Sequence, residues 1–467
     1  MSVETSPNPL VTVRAVFSGE GSHSRVPSGQ IRCEIGTNVS LVPTELEAFC
    51  FKELTVRDEE LVCLAGIVAF ADRLVRRKAS LGWSRNLEIV MPVAEPRFWQ
   101  QPEIVDTLLE ALRYLTGDAW RFKFIKRAGR LPRVRQAEMD LGQGEFQVIP
   151  FSNGMDSFAQ SRLLRKERPH ISPIRVTAWN HGLAGSRTWL TDADGTRYRR
   201  VAVPIKFSFK GNADQTYRTR GFLFSVLAGL AAHMSGAKSI VIPEAGQGAL
   251  GPSLVPVGAE SPHRGSHPGF SRRMAAFFRA FWQKTISFEH PQLWHTKGEV
   301  LTMLKKENLH EGWEKTFSCS RGQRDIRTER HKKIHCGICS GCMLRRLAVF
   351  SADLPEPADT YMWPDLSASS LEESLCEDAR RPVSTNDWDI AVHAVMAMED
   401  LARLANTPIT HPKMENALFD AFGNNPQQLA GGAEPLRRLL LAHQTEWRKF
   451  TQQLGPESWV NQQIAHL

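Results

Sequence analysis

Phe146-Gln147-Val148-Ile149-Pro150-Phe151 is a short apolar run of the kind that forms a buried strand. It passes through Ser152-Asn153-Gly154-Met155-Asp156-Ser157 into a stretch, to Lys166, that suits a helix. A strand that turns through small residues straight into a helix restricts the chain to folds in which strands and helices alternate. The turn also sets backbone N–H groups in a concave row at a helix N-terminus, where hydrogen bonding and the helix dipole draw phosphate. Plain connection chemistry uses the same residue types, so the turn alone does not decide between the two.

The alternation continues. Ile174 to Trp179 reads as a second strand, ending at Asn180-His181-Gly182, and Tyr198 to Phe207 as a third. A mostly apolar helix from about Gly221 to Met234 leads to a fourth strand at Ser239 to Pro243. This pattern predicts an α/β fold with a doubly wound parallel sheet. Ligands in such sheets bind outside the carboxyl ends of the strands, which assigns Ser152, Asn180 and Pro243-Glu244-Ala245-Gly246 to that edge.

Residues 1–140 read as an α+β module with strands near 10–17, 87–93 and 120–125 and helices near 61–75 and 102–115. They show no reactive cluster, and Arg127 to Arg135 forms a basic linker. Beyond Asp353-Leu354-Pro355-Glu356-Pro357 the chain predicts helices near 388–405, 411–422 and 434–453, in the last of which Leu436, Leu439, Leu440, His443 and Trp447 share a face. The expected division is therefore 1–140, a nucleotide-binding domain over 141–315, a cysteine segment over 316–350 and a helical extension over 351–467.

With 467 residues, 42% of them hydrophobic, the chain can bury a large core in two or three domains. Lys and Arg total 58 against 50 Asp and Glu, a net charge of +8. That favours anionic partners such as ATP, but the excess is spread without a basic tail, and nucleic acid is not an expected partner. Met1 to Pro7 lacks the basic and apolar regions of a signal peptide, and the longest apolar run, Phe222 to Ala232, is too short to span a bilayer. Of the eight cysteines, four cluster and Cys33, Cys50, Cys63 and Cys376 are scattered as buried or incidental thiols, which suits a reducing, cytoplasmic address.

The clustered four are Cys319 followed by Cys336-Gly337-Ile338-Cys339-Ser340-Gly341-Cys342. Two-residue spacing turns successive thiolates toward one centre, Gly337 and Gly341 supply backbone freedom, and Lys332, Lys333, Arg345 and Arg346 offset the charge of a four-thiolate zinc site. An iron–sulfur cluster is the rival, but the cysteine and proline that follow in the bacterial ferredoxin run are absent. His335 or His331 as a substitute ligand is the lesser alternative.

The turn at Ser152 lacks the spacings of the P-loop and of Gly-x-Gly-x-x-Gly. It resembles Ser-Gly-Gly-x-Asp-Ser, the pyrophosphate loop of the PP-loop ATP pyrophosphatases, with Asn153 at the first glycine; Asn is the non-glycine residue that best tolerates positive φ. A PP-loop followed by Cys…Cys-Gly-x-Cys-x-x-Cys-x-x-Arg resembles the 7-cyano-7-deazaguanine synthase (QueC) family. Thr219-Arg220-Gly221-Phe222 is similar to that family's Ala-Arg-Asn segment, with Gly221 in place of Asn. Ser239 to Ile242 matches the next strand, Thr296-Lys297-Gly298-Glu299-Val300 its Thr-Lys-x-Glu-x segment and Phe317-Ser318-Cys319 its first zinc ligand. The resemblance covers about residues 145 to 350. The family's Gly-Tyr-Pro-Asp-Cys-Arg stretch has no counterpart; Pro243 to Phe270, with Gln247, His263, His267 and Phe270, takes its place. The added terminal regions resemble the long QueC-like proteins of bacterial anti-phage operons, the QatC type.

The resemblance implies a PP-loop ATPase fold of the adenine nucleotide alpha hydrolase-like kind. It further implies a ligase that uses ATP, Mg2+ and Zn2+ to adenylate the carboxylate of 7-carboxy-7-deazaguanine, releasing pyrophosphate. The activated base then passes to ammonia or to an amine of a defence-operon partner protein. Ser152, Asn153, Gly154 and Ser157 would hold pyrophosphate, Asp156 the magnesium or nucleotide, and Arg220 and Lys297 phosphate charge; Glu244 would read the base, and Cys319, Cys336, Cys339 and Cys342 would bind zinc. A homodimer is compatible with this reading. Asn153, Gly221 and the missing stretch favour a second reading, a non-catalytic nucleotide-binding scaffold; the basic balance favours a third, a tRNA-modifying PP-loop enzyme.

Overall fold

The computed structural model describes residues 9–17, 26–50, 52–78, 83–127, 145–152, 154–179, 189–191, 197–209, 214, 216–255, 263–321, 326, 328 and 334–466. Asn153, Asn180-His181-Gly182 and His331-Lys332-Lys333 lie outside the described residues.

The strands are β1 (Leu10–Phe17), β2 (Ile31–Ile35), β3 (Val39–Leu41), β4 (Asn86–Val93), β5 (Ala119–Lys126), β6 (Glu145–Pro150), β7 (Ile171–Trp179), β8 (Trp189–Thr191), β9 (Arg197–Phe207), β10 (Ser239–Val241) and β11 (Ser287–Glu289). The helices are α1 (Thr44–Cys50), α2 (Val56–Leu74), α3 (Pro96–Trp99), α4 (Pro102–Thr116), α5 (Met155–Glu167), α6 (Arg220–Ser235) and α7 (Gly246–Leu254). They continue as α8 (Pro268–Trp282), α9 (Lys297–Lys306), α10 (Ser340–Ser351), α11 (Thr385–Arg403), α12 (Pro412–Phe422), α13 (Pro426–Leu454) and α14 (Trp459–Ala465).

Two compact units interleave in sequence. The first comprises Met1–Phe151, Arg168–Ile242 and His263–Glu289; the second comprises Ser152–Glu167, Pro243–Pro262 and His290–Leu467.

The first unit is built on one mixed sheet of order β11-β10-β6-β7-β9-β3-β2-β1-β4-β5, with β8 paired to β9. All neighbours are parallel except β3–β9 and β8–β9. β9 joins the halves: Arg200 to Pro204 pairs with β7, and Ile205 to Phe207 pairs in the opposite sense with β3. Taken in chain order, β6, β7, β9, β10 and β11 stand as third, second, first, fourth and fifth, the order of a doubly wound sheet. The order reverses between β6 and β10, whose carboxyl ends lead into Ser152 and Glu244 respectively.

Helix α6 is apolar on nearly every face, and Phe222, Leu223, Val226, Leu227 and Leu230 are accordingly all buried. Its second residue, Gly221, lies against Gly265 so closely that a Cβ would come within 2.6 Å of the Gly265 Cα. Close backbone approach therefore explains the glycine. The residue before the helix is held by a buried ionic network. Asp118 accepts from Arg77 at 2.6 Å and Arg85 at 2.7 Å, Asp72 accepts from Arg85 at 2.5 Å, and the Thr219 N–H and hydroxyl donate to Asp72 at 2.8 and 2.9 Å. Burial opposes ionisation of Asp118, but its two guanidinium partners outweigh that and hold the carboxyl below its ordinary range.

The second unit is helical among its described residues. Met155, Ala159 and Leu163, at four-residue intervals on α5, enter one apolar cluster with Val300, Leu301 and Leu304 of α9 and Ala348 of α10. Cys336, Cys339 and Cys342 enter another with Met343, Trp363, Trp447 and Trp459. Helix α13 begins eight residues before the expected start at Glu434 and runs through Pro435. The carbonyl facing that proline ring belongs to Gly431, and Gly432 lets α12 approach so that a Cβ would meet Leu418 at 2.9 Å. No described helix is long and apolar enough to cross a membrane.

Candidate functional site

The turn before α5 is held by its own serines. The Gly154 N–H donates to Ser152 Oγ at 3.1 Å, the Ser157 hydroxyl donates to the Ser152 carbonyl at 2.7 Å, and the Ser152 N–H donates to Ser157 Oγ at 3.3 Å. The two predicted serines thus brace the loop, and the first-turn amides of α5 have no carbonyl within the helix to bond. A Cβ on Gly154 would stand 3.0 Å from Ser152 Oγ, so the glycine keeps the brace uncrowded.

Asp156, in the first turn of α5, meets Lys297, the first residue of α9. Lys297 Nζ donates to Asp156 Oδ2 at 2.6 Å and lies 3.7 Å from Glu244 Oε1. Three residues from three separate stretches, each singled out by the sequence, are therefore brought together around one buried ammonium. Burial alone would lower the Lys297 pKa, but the two carboxylates raise it above its ordinary value. The Glu244 carboxyl is pushed up to about 7, first by loss of solvent and then by the Asp156 carboxylate, with Lys297 opposing. Two acids and one base share the site, and the second acid's carboxyl is held well above its ordinary range.

Glu244 folds back over the start of α7, where a Cβ on Gly248 would stand 2.1 Å from Glu244 Oε1. Any larger side chain there would have to displace that carboxylate. Gln247, three residues after Glu244, belongs to the segment that departs from the QueC-like pattern. Its Oε1 accepts the backbone N–H of Lys297 at 2.8 Å, and its Nε2 faces His443 Nδ1 at 2.7 Å; His443 Nε2 faces the Met398 carbonyl at 2.9 Å. A carbonyl only accepts, so Nε2 carries the proton and Nδ1 accepts from Gln247. Burial depresses the His443 pKa to about 4 and keeps the ring neutral. One turn on, the Thr296 hydroxyl donates to Glu446 Oε1 at 2.5 Å. Thr296 and Glu299 form a capping box at the start of α9, with bonds of 3.0 and 2.8 Å. Loss of solvent pushes Glu446 up to about 8.

His443 and Glu446 lie outside the motifs by which the sequence marks the site. The available signal was a His and a Glu three residues apart on a helix face otherwise made of Leu and Trp, since polar groups on a buried stripe need partners.

Arg220, the remaining candidate for phosphate charge, belongs to the first unit. It is exposed at the start of α6, with its guanidinium 5.3 Å from the centroid of the Phe224 ring. Its neighbour Arg218 is structural: it donates to the Thr116 carbonyl at 3.0 Å.

The four cysteines converge. Their sulfurs all lie within 4.8 Å of one another, with Cys319–Cys339 at 3.9 Å and Cys336–Cys342 at 3.7 Å. The edge of a zinc tetrahedron with Zn–S near 2.3 Å is about 3.8 Å, so this donor set fits zinc. Backbone N–H groups of Cys336 and Cys339 donate to the sulfurs of Cys319 and Cys336, each at 3.4 Å. Cys339 is the N-cap of α10 and Cys342 lies in its first turn, where the helix dipole favours thiolate. Gly337 has φ +99°, which the tight turn between ligands requires. His335 is outside the sulfur cluster; it accepts the Ser318 N–H at 3.1 Å and so orients the residue before Cys319. Arg345 is directed elsewhere, to Thr316 at 2.7 Å and Glu356 at 2.9 Å, and Arg346 caps the Tyr361 ring at 3.7 Å. These arginines tie loops around the centre rather than contacting its sulfurs.

No curated protein matches the chain. A family model described as "Queuosine biosynthesis protein QueC" matches residues 265–352, a segment that contains Lys297, its capping box and all four clustered cysteines. Over that segment the chain is QueC-like.

Proposed function

We propose that the chain is an ATP-dependent, QueC-like enzyme of the PP-loop type that activates the carboxylate of 7-carboxy-7-deazaguanine as an acyl adenylate. The observation that carries this reading is the buried Lys297 between Asp156 and Glu244, in a segment matched by the QueC model and next in space to the serine-braced turn. A carboxylate is a poor electrophile, and attack at the α-phosphate needs its charge neutralised more than it needs a strong base. In this reading Ser152, Gly154 and Ser157 offer hydrogen bonds to pyrophosphate, Lys297 meets phosphate charge and Asp156 holds Mg2+. Glu244, when ionised, accepts the paired N–H edge of the deazaguanine. Arg220 is assigned to phosphate by resemblance alone. Zinc at the four cysteines would tie the loops before α10 and takes no part in the chemistry.

The regions beyond the QueC-like segment support the anti-phage subtype, in which the activated base passes to ammonia or to an amine of a partner protein, in the cytoplasm. The test is pyrophosphate release with ATP, Mg2+ and 7-carboxy-7-deazaguanine. Release that depends on the deazaguanine and disappears in Asp156→Ala supports the reading. Nucleotide binding without turnover supports the scaffold reading that Asn153 favours, and release that requires tRNA supports the tRNA-modifying one. A candidate partner that gains no mass on incubation with enzyme, ATP and the deazaguanine counts against the conjugating role.

A further inference from the structure

The helical extension reaches the candidate site at two points on α13. His443 orients the amide of Gln247, whose oxygen accepts the N–H of Lys297 at the start of α9, and Glu446 accepts from Thr296, the N-cap of α9. His443 is fully buried and Gln247 nearly so, and each bond in the chain from the Met398 carbonyl to the Lys297 amide has a fixed donor and acceptor. If Nδ1 of His443 did not accept, the Gln247 amide could turn over and direct its NH2 at the Lys297 N–H, setting donor against donor.

We propose that His443 is a positioning residue for Lys297, so that the helical extension is part of the candidate site and not only a cover over it. This assignment rests on the proposed role of Lys297 in phosphate binding. The ring, through Gln247, fixes the backbone at the first residue of α9 and with it the stem from which the ammonium reaches Asp156. Polar bonds across 196 residues of sequence would be an uneconomical way to fill a core that leucine fills elsewhere on the same helix.

The test compares wild type with His443→Phe, which keeps the bulk and removes both ring nitrogens, and His443→Gln, which can donate to Met398 and accept from Gln247. The expected result is that kcat for pyrophosphate release falls about tenfold or more in the Phe variant, with KM for ATP altered less, and stays within about threefold in the Gln variant. Zinc content and a cooperative melt show whether each variant is folded, and Gln247→Leu repeats the test from the other end should the Phe variant fail to fold. Equal kcat in all variants overturns the assignment, as does a Gln variant as slow as the Phe variant. If wild type itself releases no pyrophosphate, the functional reading fails and hydrogen exchange at the Lys297 amide decides this one. Exchange about tenfold faster in the Phe variant alone supports positioning, and equal exchange in all three overturns it.

Discussion

Two buried charge clusters in this protein use similar residues to opposite ends. In the first unit, Asp72 and Asp118 face Arg77 and Arg85, two acids against two bases, and the Thr219 hydroxyl takes up a further carboxylate lone pair. In the second, Asp156 and Glu244 share the single ammonium of Lys297, and the Glu244 carboxyl titrates near neutrality. A balanced, fully bonded cluster has nothing left to offer a ligand, whereas an unbalanced one at a braced turn can trade its partners for a phosphate and a cation. The first cluster anchors the entry to α6, and the second is the candidate site.

The largest effect expected on stability comes from breaking the closed cluster. Asp118→Ala leaves two buried guanidinium groups short of a partner and should cost about 3–5 kcal/mol, read as a shift in the urea midpoint. Asp156→Ala, in the open cluster, should leave that midpoint within about 1 kcal/mol, because Glu244 remains beside Lys297. An equal loss in both would erase the distinction.

Removing metal comes next. A chelator strong enough to strip zinc should unfold the segments that carry the sulfurs, Phe317 to Cys319 and Cys336 to Cys342, seen as loss of near-ultraviolet signal from Trp363, because the sulfurs lie in the apolar cluster with that ring. Insensitivity to chelation would contradict a four-thiolate zinc site.

The pH responses should be smaller and of opposite sign. Asp118 has a lowered carboxyl, so its contribution is present above the ordinary aspartate range and is lost as pH falls through the folded value. Glu446 and Glu244 are raised, so the folded state binds protons that the unfolded chain releases from about pH 4.5 upward. Their contribution therefore declines as pH rises to about 8 for Glu446 and about 7 for Glu244. Glu446→Gln should flatten that decline and raise the melting temperature at pH 8 by a few degrees, on the order of 1 kcal/mol. A melting temperature that still falls unchanged between pH 5 and 8 would assign the decline to other groups.

Much of the chain was legible because its signals are local. β1 follows the alternation at Leu10 to Phe17, α4 has Pro102 at its first position and Gly117 just after its end, and the cysteine spacing indicated a centre. Helix α8 was legible too but unread: His267 before Pro268 opens it, and Phe270, Met274, Phe277 and Phe281 recur at helical spacing. What local pattern does not carry is pairing across distance. β3 has three residues and lies in the sheet between a parallel neighbour, β2, and an antiparallel one, β9. Helix α7, Gly-Gln-Gly-Ala-Leu-Gly-Pro-Ser-Leu, has a loop's composition because Glu244 and the Leu293 backbone come too near for side chains at Gly248 and Gly246. In the site, Ser152, Asp156 and Lys297 were found by motif, while Gln247 and His443 matter only through each other.

The most direct measurement sets Lys297→Met beside wild type in the pyrophosphate-release assay and in a thermal melt. A functional cluster predicts release reduced by about 100-fold or more, in line with loss of one charge-stabilising group, with the melting temperature within a few degrees of wild type. Release that survives the substitution, or a melt that collapses along with it, would contradict the claim that this ammonium is held for a ligand and not for the fold.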